Sequence, residues 1–158
     1  MKVLVACEES QRVCTAFRER GHEAYSCDII ECSGGHPEWH IIQDVLPLLN
    51  GFCGFDTMDG VHHYIGRRWD LIIAHPPCTY LSNAGAARLF PRKGELNRER
   101  YEKGLLAKEF FLRFLNADCE KLQLKIRFRR EYMGYRHIHK RYNHTNTGSH
   151  TARKPVFG

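Results

Sequence analysis

A short apolar run that ends at two prolines constrains this sequence most. Residues 71–74 read Leu-Ile-Ile-Ala. A continuous apolar stretch of this length is typical of a strand that is buried on both faces of a parallel sheet. Pro76 and Pro77 end the strand, because a proline nitrogen has no hydrogen to donate to a neighbouring strand. The chain therefore leaves the sheet at His75 and carries Cys78 on a short, stiff loop at the carboxyl end of the strand.

Cys78 on such a loop has two interpretations. In open α/β sheets, ligands and chemistry collect at the carboxyl ends of the strands, so a thiol at that edge is placed to act as a nucleophile. Free cysteine is also among the most frequently buried residue types, so a small core residue is equally consistent with the pattern. The local sequence favours neither interpretation over the other.

The first 28 residues follow the order of a cofactor-binding unit. Residues 3–6 predict a buried strand, and Ser10 predicts the N-cap of a helix over residues 11–20. Residues 24–27 predict a second short strand, which is followed by Asp28. In nucleotide-type units with this order, the acid after the second strand binds ribose hydroxyls. The sequence therefore predicts an α/β fold with a candidate cofactor site near the ends of its first two strands.

Length and cysteine content restrict the setting. A chain of 158 residues suits one domain with a substantial core. Its seven cysteines include no Cys-x-x-Cys pair, and the apolar run near the N-terminus is too short for the core of a signal peptide. No apolar stretch is as long as the roughly 20 residues that a helix needs to span a membrane. We therefore expect a reduced, cytoplasmic setting without a membrane partner.

The positive charge of the chain is confined to its last part. Residues 1–121 contain 15 Lys and Arg against 17 Asp and Glu, a net charge of −2. Residues 122–158 contain nine Lys and Arg and a single acid, Glu131, a net charge of +8. A basic tail ordinarily suggests contact with nucleic acid, but this tail has a second explanation, given below.

The stretch that includes Cys78 carries a family resemblance. Residues 69–85 read Trp-Asp-Leu-Ile-Ile-Ala-His-Pro-Pro-Cys-Thr-Tyr-Leu-Ser-Asn-Ala-Gly. This order resembles the nucleophile motif of DNA cytosine-C5 methyltransferases, in which a strand is followed by Pro-Cys-Gln and then Ser-x-Ala-Gly. The matching residues are Asp70, Pro77, Cys78, Ser82, Ala84 and Gly85. Pro76 and Thr79 depart from the motif, which often has an aromatic residue and usually has Gln at these positions. The run His-Pro-Pro-Cys-Thr-Tyr-Leu-Ser is most similar to that of short phage- and prophage-type DNA methylase-like proteins.

The resemblance covers residues 1–121 and implies a Rossmann-like, S-adenosylmethionine-dependent methyltransferase fold, α/β in class and incomplete at the C-terminus. It implies DNA as the partner, S-adenosyl-L-methionine as the cofactor, and addition of the Cys78 thiolate to C6 of an extruded cytosine. The substrate loop would consist of Pro76, Pro77, Thr79 and Ser82. The cofactor contacts would come from Cys7, Glu8, Asp28 and Asp44.

The cofactor residues also have plainer interpretations. Cys7, Glu8 and Glu9 stand where a dinucleotide site would have its glycine-rich loop. S-adenosylmethionine carries no phosphate and does not need that loop, and its sulfonium favours nearby carboxylates and aromatic faces. Glu8 and Glu9 are equally compatible with a solvated turn, and Asp44 with an ordinary capping residue.

Three further segments are less informative. A zinc-like spacing is formed by Cys27, Cys32, His36 and His40. Because Cys27 should lie within the second strand, we expect no metal.

Residues 50–68 show no sustained period and predict a surface loop, which is also a candidate for DNA contact. Asn97 predicts the cap of a helix that ends near Asn116 and packs on the core through an apolar face. That face would contain Tyr101, Leu105, Phe111, Leu112, Phe114 and Leu115.

The tail at residues 122–158 shows no helical or strand period with an apolar face, which predicts disorder or an out-of-frame translation. In the resembling proteins, a strand that ends in Glu-Asn-Pro follows the equivalent of Lys121. With suitable codons for residues 121–129, reading from one base earlier gives Ile-Ala-Ile-Glu-Asn-Pro-Val-Pro. In the cytosine-C5 family, that glutamate holds the extruded base and assists protonation at N3. The tail therefore has the character of a frameshifted methyltransferase C-terminus, and without that glutamate we expect the 158-residue chain to methylate DNA barely or not at all.

Two other functions remain open at this point. The doubled proline is similar to the Pro-Pro-aromatic motif of enzymes that methylate the amino group of adenine or cytosine, although Cys78 occupies the aromatic position. A catalytically inactive remnant that binds cofactor or nucleic acid is the non-enzyme alternative.

Overall fold

The computed structural model describes residues 1–82, 88–92 and 94–125. Ala84 and Gly85, which match the family motif in the sequence, lie outside the described residues, as does the tail beyond Lys125. Besides two short 3₁₀ turns, the described residues form five strands of one sheet, two strands of a hairpin, and two α-helices. In chain order these elements are β1 (Lys2–Ala6), α1 (Arg12–Arg18), β2 (Glu23–Asp28), β3 (His40–Ile42), β4 (Cys53–Asp56), β5 (His62–Ile65), β6 (Leu71–Ala74), α2 (Arg98–Leu115) and β7 (Leu122–Leu124).

The main sheet is parallel throughout, with the strand order β3-β2-β1-β6-β7. The chain moves outward from β1 through β2 to β3, and then returns to the other side of β1 with β6. The order therefore reverses between β1 and β6, where Ala6 lies opposite Ala74 in the register. The α/β class and the parallel sheet predicted from the sequence are confirmed.

Two apolar clusters cover the two faces of this sheet, because alternate residues of a strand point to opposite faces. Leu4 and Ile72 belong to the larger cluster, which also contains Trp69 and Phe114 of α2. The smaller cluster lies on the other face, beneath α1, and consists of Val3, Val5, Cys14, Ala24 and Ile73. The continuous apolar runs of β1 and β6 thus reflect burial on both sides.

The start of β6 is anchored to the start of β1 by Asp70. The backbone N–H of Lys2 donates to Asp70 Oδ2 at 2.6 Å, and the Arg67 guanidinium donates to Oδ1. Burial acts to raise the pKa of Asp70, but these two donors hold it below its ordinary value. Asp70, one of the residues that match the family motif, is a structural residue at the amino edge of the sheet.

Helix α1 begins differently from the prediction. In the structure, α1 begins at Arg12. Its N-cap is Gln11, which adopts the left-handed region at φ 56°, so Ser10 is not the cap. The first-turn N–H groups are instead satisfied by a buried carboxylate, that of Glu8, as described below. The predicted cap of α2 is confirmed, since the Asn97 side chain accepts a hydrogen bond from Arg100 N at 3.0 Å.

Residues 50–68 do not form the surface loop that the sequence predicts. β4 and β5 pair as an antiparallel hairpin, and Phe55 and Ile65 are buried in the larger cluster with Trp69. A hydrogen bond of 3.1 Å between the Tyr25 hydroxyl and His63 Nδ1 ties the hairpin to β2. Only one face of the hairpin is apolar, and histidine and glycine interrupt its alternation, so no strand period was visible in the sequence.

The apolar face predicted for α2 is only half buried. Phe111 and Phe114 near the C-terminal end of the helix are buried, whereas Tyr101 and Leu105 in its first half are exposed. An 18-residue helix is about 27 Å long and exceeds the length of the four-residue strand beside it. The first half of α2 therefore extends past the carboxyl edge of the sheet.

The three residues that follow the boundary predicted at residue 121 form a strand. Residues Leu122–Leu124 pair with β6 as the fifth parallel strand, with Leu124 opposite Ala74. Leu122 and Leu124 pack against the larger cluster, and Gln123 between them is exposed. A three-residue alternation is too short to be recognised in a sequence. No helix among the described residues is long and apolar enough to cross a membrane.

Candidate active site

The carboxyl edge of β1 and β6 brings the sequence-predicted residues to one place. Cys7 and Glu8 follow β1 directly, and His75 follows β6. A hydrogen bond from His75 N to Ala6 O, at 3.0 Å, continues the pairing one residue past the end of β6. The strand order reverses between these two strands, and in open α/β sheets ligands bind at the carboxyl ends of the strands at such a reversal.

The loop that carries Cys78 is built on a buried proline. Pro76 is buried, whereas Pro77, Cys78 and Thr79 are exposed. The backbone oxygen of Cys78 accepts hydrogen bonds from Leu81 N at 3.1 Å and Ser82 N at 2.8 Å, so the loop closes in a single helical turn. We refer to residues 78–82 as the Cys78 turn.

Exposure separates Cys78 from the other cysteines. Of the seven, all of which the structure describes, Cys78 alone is exposed. Burial raises the pKa of Cys14 and of Cys27 to about 12, and that of Cys119 to about 11. These thiols stay protonated and poorly nucleophilic near neutral pH. Cys78, in contrast, is exposed and does not have the environment of a small core residue.

The first turn of α2 contacts the Cys78 turn through a residue that the sequence analysis missed. Arg100 Nη2 donates to the backbone oxygen of Thr79 at 3.2 Å. The guanidinium carbon of Arg100 also lies 5.0 Å from the centre of the Tyr80 ring. No local sequence signal marks Arg100, because it is one of many basic residues between 88 and 103.

Cys7, Asp28 and Asp44 lie close together at the ends of β1, β2 and β3. Burial, followed by the negative charges of Asp28 and Asp44, raises the pKa of the Cys7 thiol to about 12. Cys7 adopts the left-handed region at φ 58°, and its N–H donates to Cys27 O at 2.8 Å. The structure thus gathers three of the four residues that the resemblance assigned to a cofactor.

The two aspartates differ in their surroundings. Asp28 is half-buried, and its Oδ1 accepts from Ile29 N at 2.7 Å. Asp44 is exposed, and its Oδ1 accepts from Leu46 N at 3.0 Å, at the start of the 3₁₀ turn Leu46–Leu48. The plainer interpretation of Asp44 as a capping residue therefore matches a hydrogen bond that it makes, and a ligand contact for Asp44 remains a prediction.

Exposed isoleucines border the aspartates. Ile29, Ile30 and Ile42 are 75%, 55% and 42% exposed at the carboxyl ends of β2 and β3. Their exposure is costly in water and offers an apolar surface on which a flat ring could pack. The signal in the sequence was the pair of isoleucines directly after Asp28, which sequence reasoning did not use.

Glu8 has a structural role. Its side chain accepts hydrogen bonds from Val13 N at 2.7 Å and Cys14 N at 3.1 Å, one to each carboxylate oxygen. These N–H groups belong to the first turn of α1, where helices leave donors without intrahelical partners. Glu8 is 4% exposed, so neither a solvated turn nor a free carboxylate describes it.

Replacing Glu8 should therefore lower stability. In Glu8→Ala, two buried donors of α1 lose their acceptor, and we expect the free energy of unfolding to fall by about 1–3 kcal/mol. Glu8→Gln keeps one oxygen acceptor and should lose less. Urea unfolding followed by circular dichroism measures the difference, with the half-buried Glu9, whose side chain pairs with Ser33, changed to Ala as the matched control. Equal stability of Glu8→Ala and Glu9→Ala would contradict the capping role.

His75 lies between the two loops. Burial lowers the pKa of His75, the Glu8 carboxylate acts in the opposite direction, and Lys125 lowers the pKa further. His75 is therefore neutral at neutral pH, half-buried beside the candidate site. Lys125 reaches this position because its N–H donates to Ala74 O at 3.1 Å, directly after β7.

The zinc-like spacing does not form a cluster. His40 uses both ring nitrogens within the protein, at 2.8 Å from Ser26 Oγ and 2.8 Å from Ile30 O. Cys27 lies within β2, as the sequence suggested. Among the described residues, no group of three or more His, Cys, Asp or Glu side chains could hold a metal ion.

Comparisons with known proteins add no family to this geometry. No protein-family model, no curated protein and no solved structure matches the chain.

Proposed function

We propose that the chain has the catalytic site of an S-adenosylmethionine-dependent DNA methyltransferase, with cytosine C5 as the methylated atom and Cys78 as the nucleophile. One observation supports this most: the exposed thiol of Cys78 and the group of Cys7, Asp28 and Asp44 share the carboxyl edge of one parallel sheet. A transfer reaction needs its two reactants held at one edge, next to each other.

The residues present fit the proposed cofactor in part. Asp28 uses Oδ1 for Ile29 N, and Oδ2 has no partner among the described residues, so it can accept from ribose hydroxyls. The exposed Ile29 and Ile42 offer an apolar face for the adenine ring. Negative charge from Asp28 and Asp44 favours a sulfonium nearby. Glu8 does not fit as a cofactor contact, because both of its carboxylate oxygens accept hydrogen bonds from N–H groups of α1.

The proposed chemistry begins at the thiolate. Cys78 Sγ adds to C6 of an extruded cytosine, and the electron pair of the C5–C6 bond moves toward C5 and the N3 side of the ring. When bound, S-adenosylmethionine supplies an electrophilic methyl group to C5. Loss of the C5 proton then restores the double bond and expels the Cys78 thiolate. The Cys78 turn holds the sulfur at the edge throughout.

Product analysis tests the reaction type. The chain is incubated with duplex DNA and methyl-labelled S-adenosylmethionine, the DNA is digested to nucleosides, and labelled products are separated by chromatography. We expect 5-methylcytosine as the labelled nucleoside. Labelled N4-methylcytosine or N6-methyladenine would instead support amino-methylation, for which the Pro76–Pro77 loop would hold the exocyclic nitrogen without a covalent bond.

Loss of the Asp28 carboxylate should weaken the cofactor. In Asp28→Ala we expect the binding free energy of S-adenosylmethionine to fall by about 1–3 kcal/mol, the usual cost of losing a hydrogen bond to a charged group. Isothermal titration calorimetry measures it, and Asp118→Ala, which removes an exposed carboxylate just before β7 at the opposite edge, is the control. Unchanged affinity in a folded Asp28→Ala variant would remove Asp28 from the site, and no binding to the parent chain would contradict the cofactor itself.

A further inference from the structure

We propose that Arg100 is a positioning residue that fixes the Cys78 turn against the first turn of α2. This inference rests on the proposed function for its importance to catalysis, but the contacts that carry it are independent of any substrate. They are the hydrogen bond from Arg100 Nη2 to Thr79 O and the stacking of the guanidinium over Tyr80.

Packing against the core contributes little to the first part of the Cys78 turn. Pro77, Cys78 and Thr79 are exposed, and the hydrogen bonds to the Cys78 oxygen lie within the turn itself. Leu81 is buried at 7% exposure and ties the end of the turn to the protein. Between the buried Pro76 and Leu81, Arg100 reaches the backbone of the turn at Thr79 from a distant segment of the chain.

Arg100 is itself held in place. Its backbone N–H donates to the Asn97 side chain at the cap of α2, which fixes the first turn of the helix. At the other end, Phe111 and Phe114 anchor α2 in the core. The position of Thr79 and Tyr80 is thereby linked to a rigid helix rather than to a flexible chain.

The chemistry of arginine suits both contacts at once. A planar guanidinium can donate in its plane to a carbonyl oxygen and place its face over an aromatic ring, whereas the lysine ammonium lacks this geometry. Arg100→Lys should therefore recover the positive charge but only part of the positioning. Tyr80→Phe keeps the ring and should behave as the parent chain, whereas Tyr80→Ala should resemble Arg100→Ala.

Hydrogen exchange followed by mass spectrometry tests the contact directly. In Arg100→Ala we expect the amides of Leu81 and Ser82 to exchange about three- to tenfold faster, since an exposed cation–π contact and one charge-assisted hydrogen bond are lost. Amides of β6 serve as the internal reference. Arg98→Ala, which removes a neighbouring exposed arginine of α2, is the matched control. Exchange that is unchanged at Leu81 and Ser82, or equally faster in β6, overturns the proposal.

A second readout links the turn to the reaction. In Arg100→Ala, the rate at which Cys78 becomes attached to a 5-fluorocytosine duplex should fall by at least the factor by which hydrogen exchange at Leu81 and Ser82 rises. The rate for Arg100→Lys should lie between those of the parent chain and Arg100→Ala. If the turn loosens while the rate of attachment stays at the parent value, a role of Arg100 in the reaction is overturned. If the parent chain forms no adduct but the local exchange rises, the positioning of the turn is supported and the proposed function fails.

Discussion

Changing Cys78 to serine should abolish the covalent complex between this protein and duplex DNA that contains 5-fluorocytosine. Fluorine at C5 cannot leave as a proton does, so a thiol that has added to C6 stays attached after methyl transfer. The serine hydroxyl is a far weaker nucleophile at neutral pH than a thiol. With S-adenosylmethionine added as the methyl donor, we expect an adduct band on a denaturing gel for the parent chain, accumulating slowly, and none for Cys78→Ser.

A matched cysteine makes this experiment specific. Cys32 is half-exposed, and its thiol contacts Met58, which is not part of the Cys78 turn. Cys32→Ser should form as much adduct as the parent chain. Methylation that persists at full rate in Cys78→Ser would contradict the covalent route and leave amino-methylation as the better explanation. Cofactor binding without any turnover would favour the inactive remnant.

The sheet could be predicted where burial on both faces leaves a continuous apolar signal. Residues 71–74 and 3–6 were recognised as strands for this reason, and β6 has the same bounds in the structure. The cap of α2 was visible because an asparagine directly precedes a long helical segment. Both signals depend only on residues that are neighbours in the chain, so they can be recognised from the sequence.

Pairing between distant segments left no such signal. Phe55 and Ile65 are ten residues apart and become core residues only when β4 and β5 pair and fold onto Trp69. The strand β7 contributes three residues and depends on β6 for its register. From the sequence alone, one of these segments consequently has the pattern of a loop and the other that of the start of a tail.

The candidate site was predicted in part for the same reason. Cys7 directly follows β1, Asp28 is the last residue of β2, and Cys78 lies on the loop after β6, so the position of each strand end predicts a shared edge. The role of Glu8 depends on where α1 begins, and the carboxylate becomes a cap only because the helix N–H groups of Val13 and Cys14 point at it. Arg100 is 22 residues from Cys78 in the sequence, and only the packing of α2 brings it to the turn.

The register of β7 sharpens the interpretation of the tail. In the alternative reading frame, Ile-Ala-Ile would replace Leu122–Leu124, and the glutamate of Glu-Asn-Pro would stand at position 125. Lys125 occupies that position now, hydrogen-bonded to Ala74 O and close enough to His75 to lower its pKa. The expected glutamate would thus lie at the same edge of the sheet as Cys78, whereas the present chain places a positive charge there.

Reading the gene in the alternative frame from codon 121 should raise methylation of DNA by at least about 10²–10⁴-fold over the 158-residue chain. A glutamate at position 125 would assist protonation of the cytosine while the thiolate adds, and general acid assistance is typically worth that factor. Initial rates with methyl-labelled S-adenosylmethionine measure the gain, and Cys78→Ser in the restored chain should remove it.

The single change Lys125→Glu separates the effect of this carboxylate from that of the rest of the restored segment. It should recover part of the gain without altering residues 126–158, because Lys125 already lies beside His75 at the carboxyl edge. Lys121→Glu makes the same change of charge before β7, at the opposite edge, and should leave the rate unchanged. If the 158-residue chain already matches the restored chain, the frameshift hypothesis is wrong. If Lys125→Glu and Lys121→Glu have equal rates, the position of the glutamate at this edge does not matter, and the proposed role for it fails.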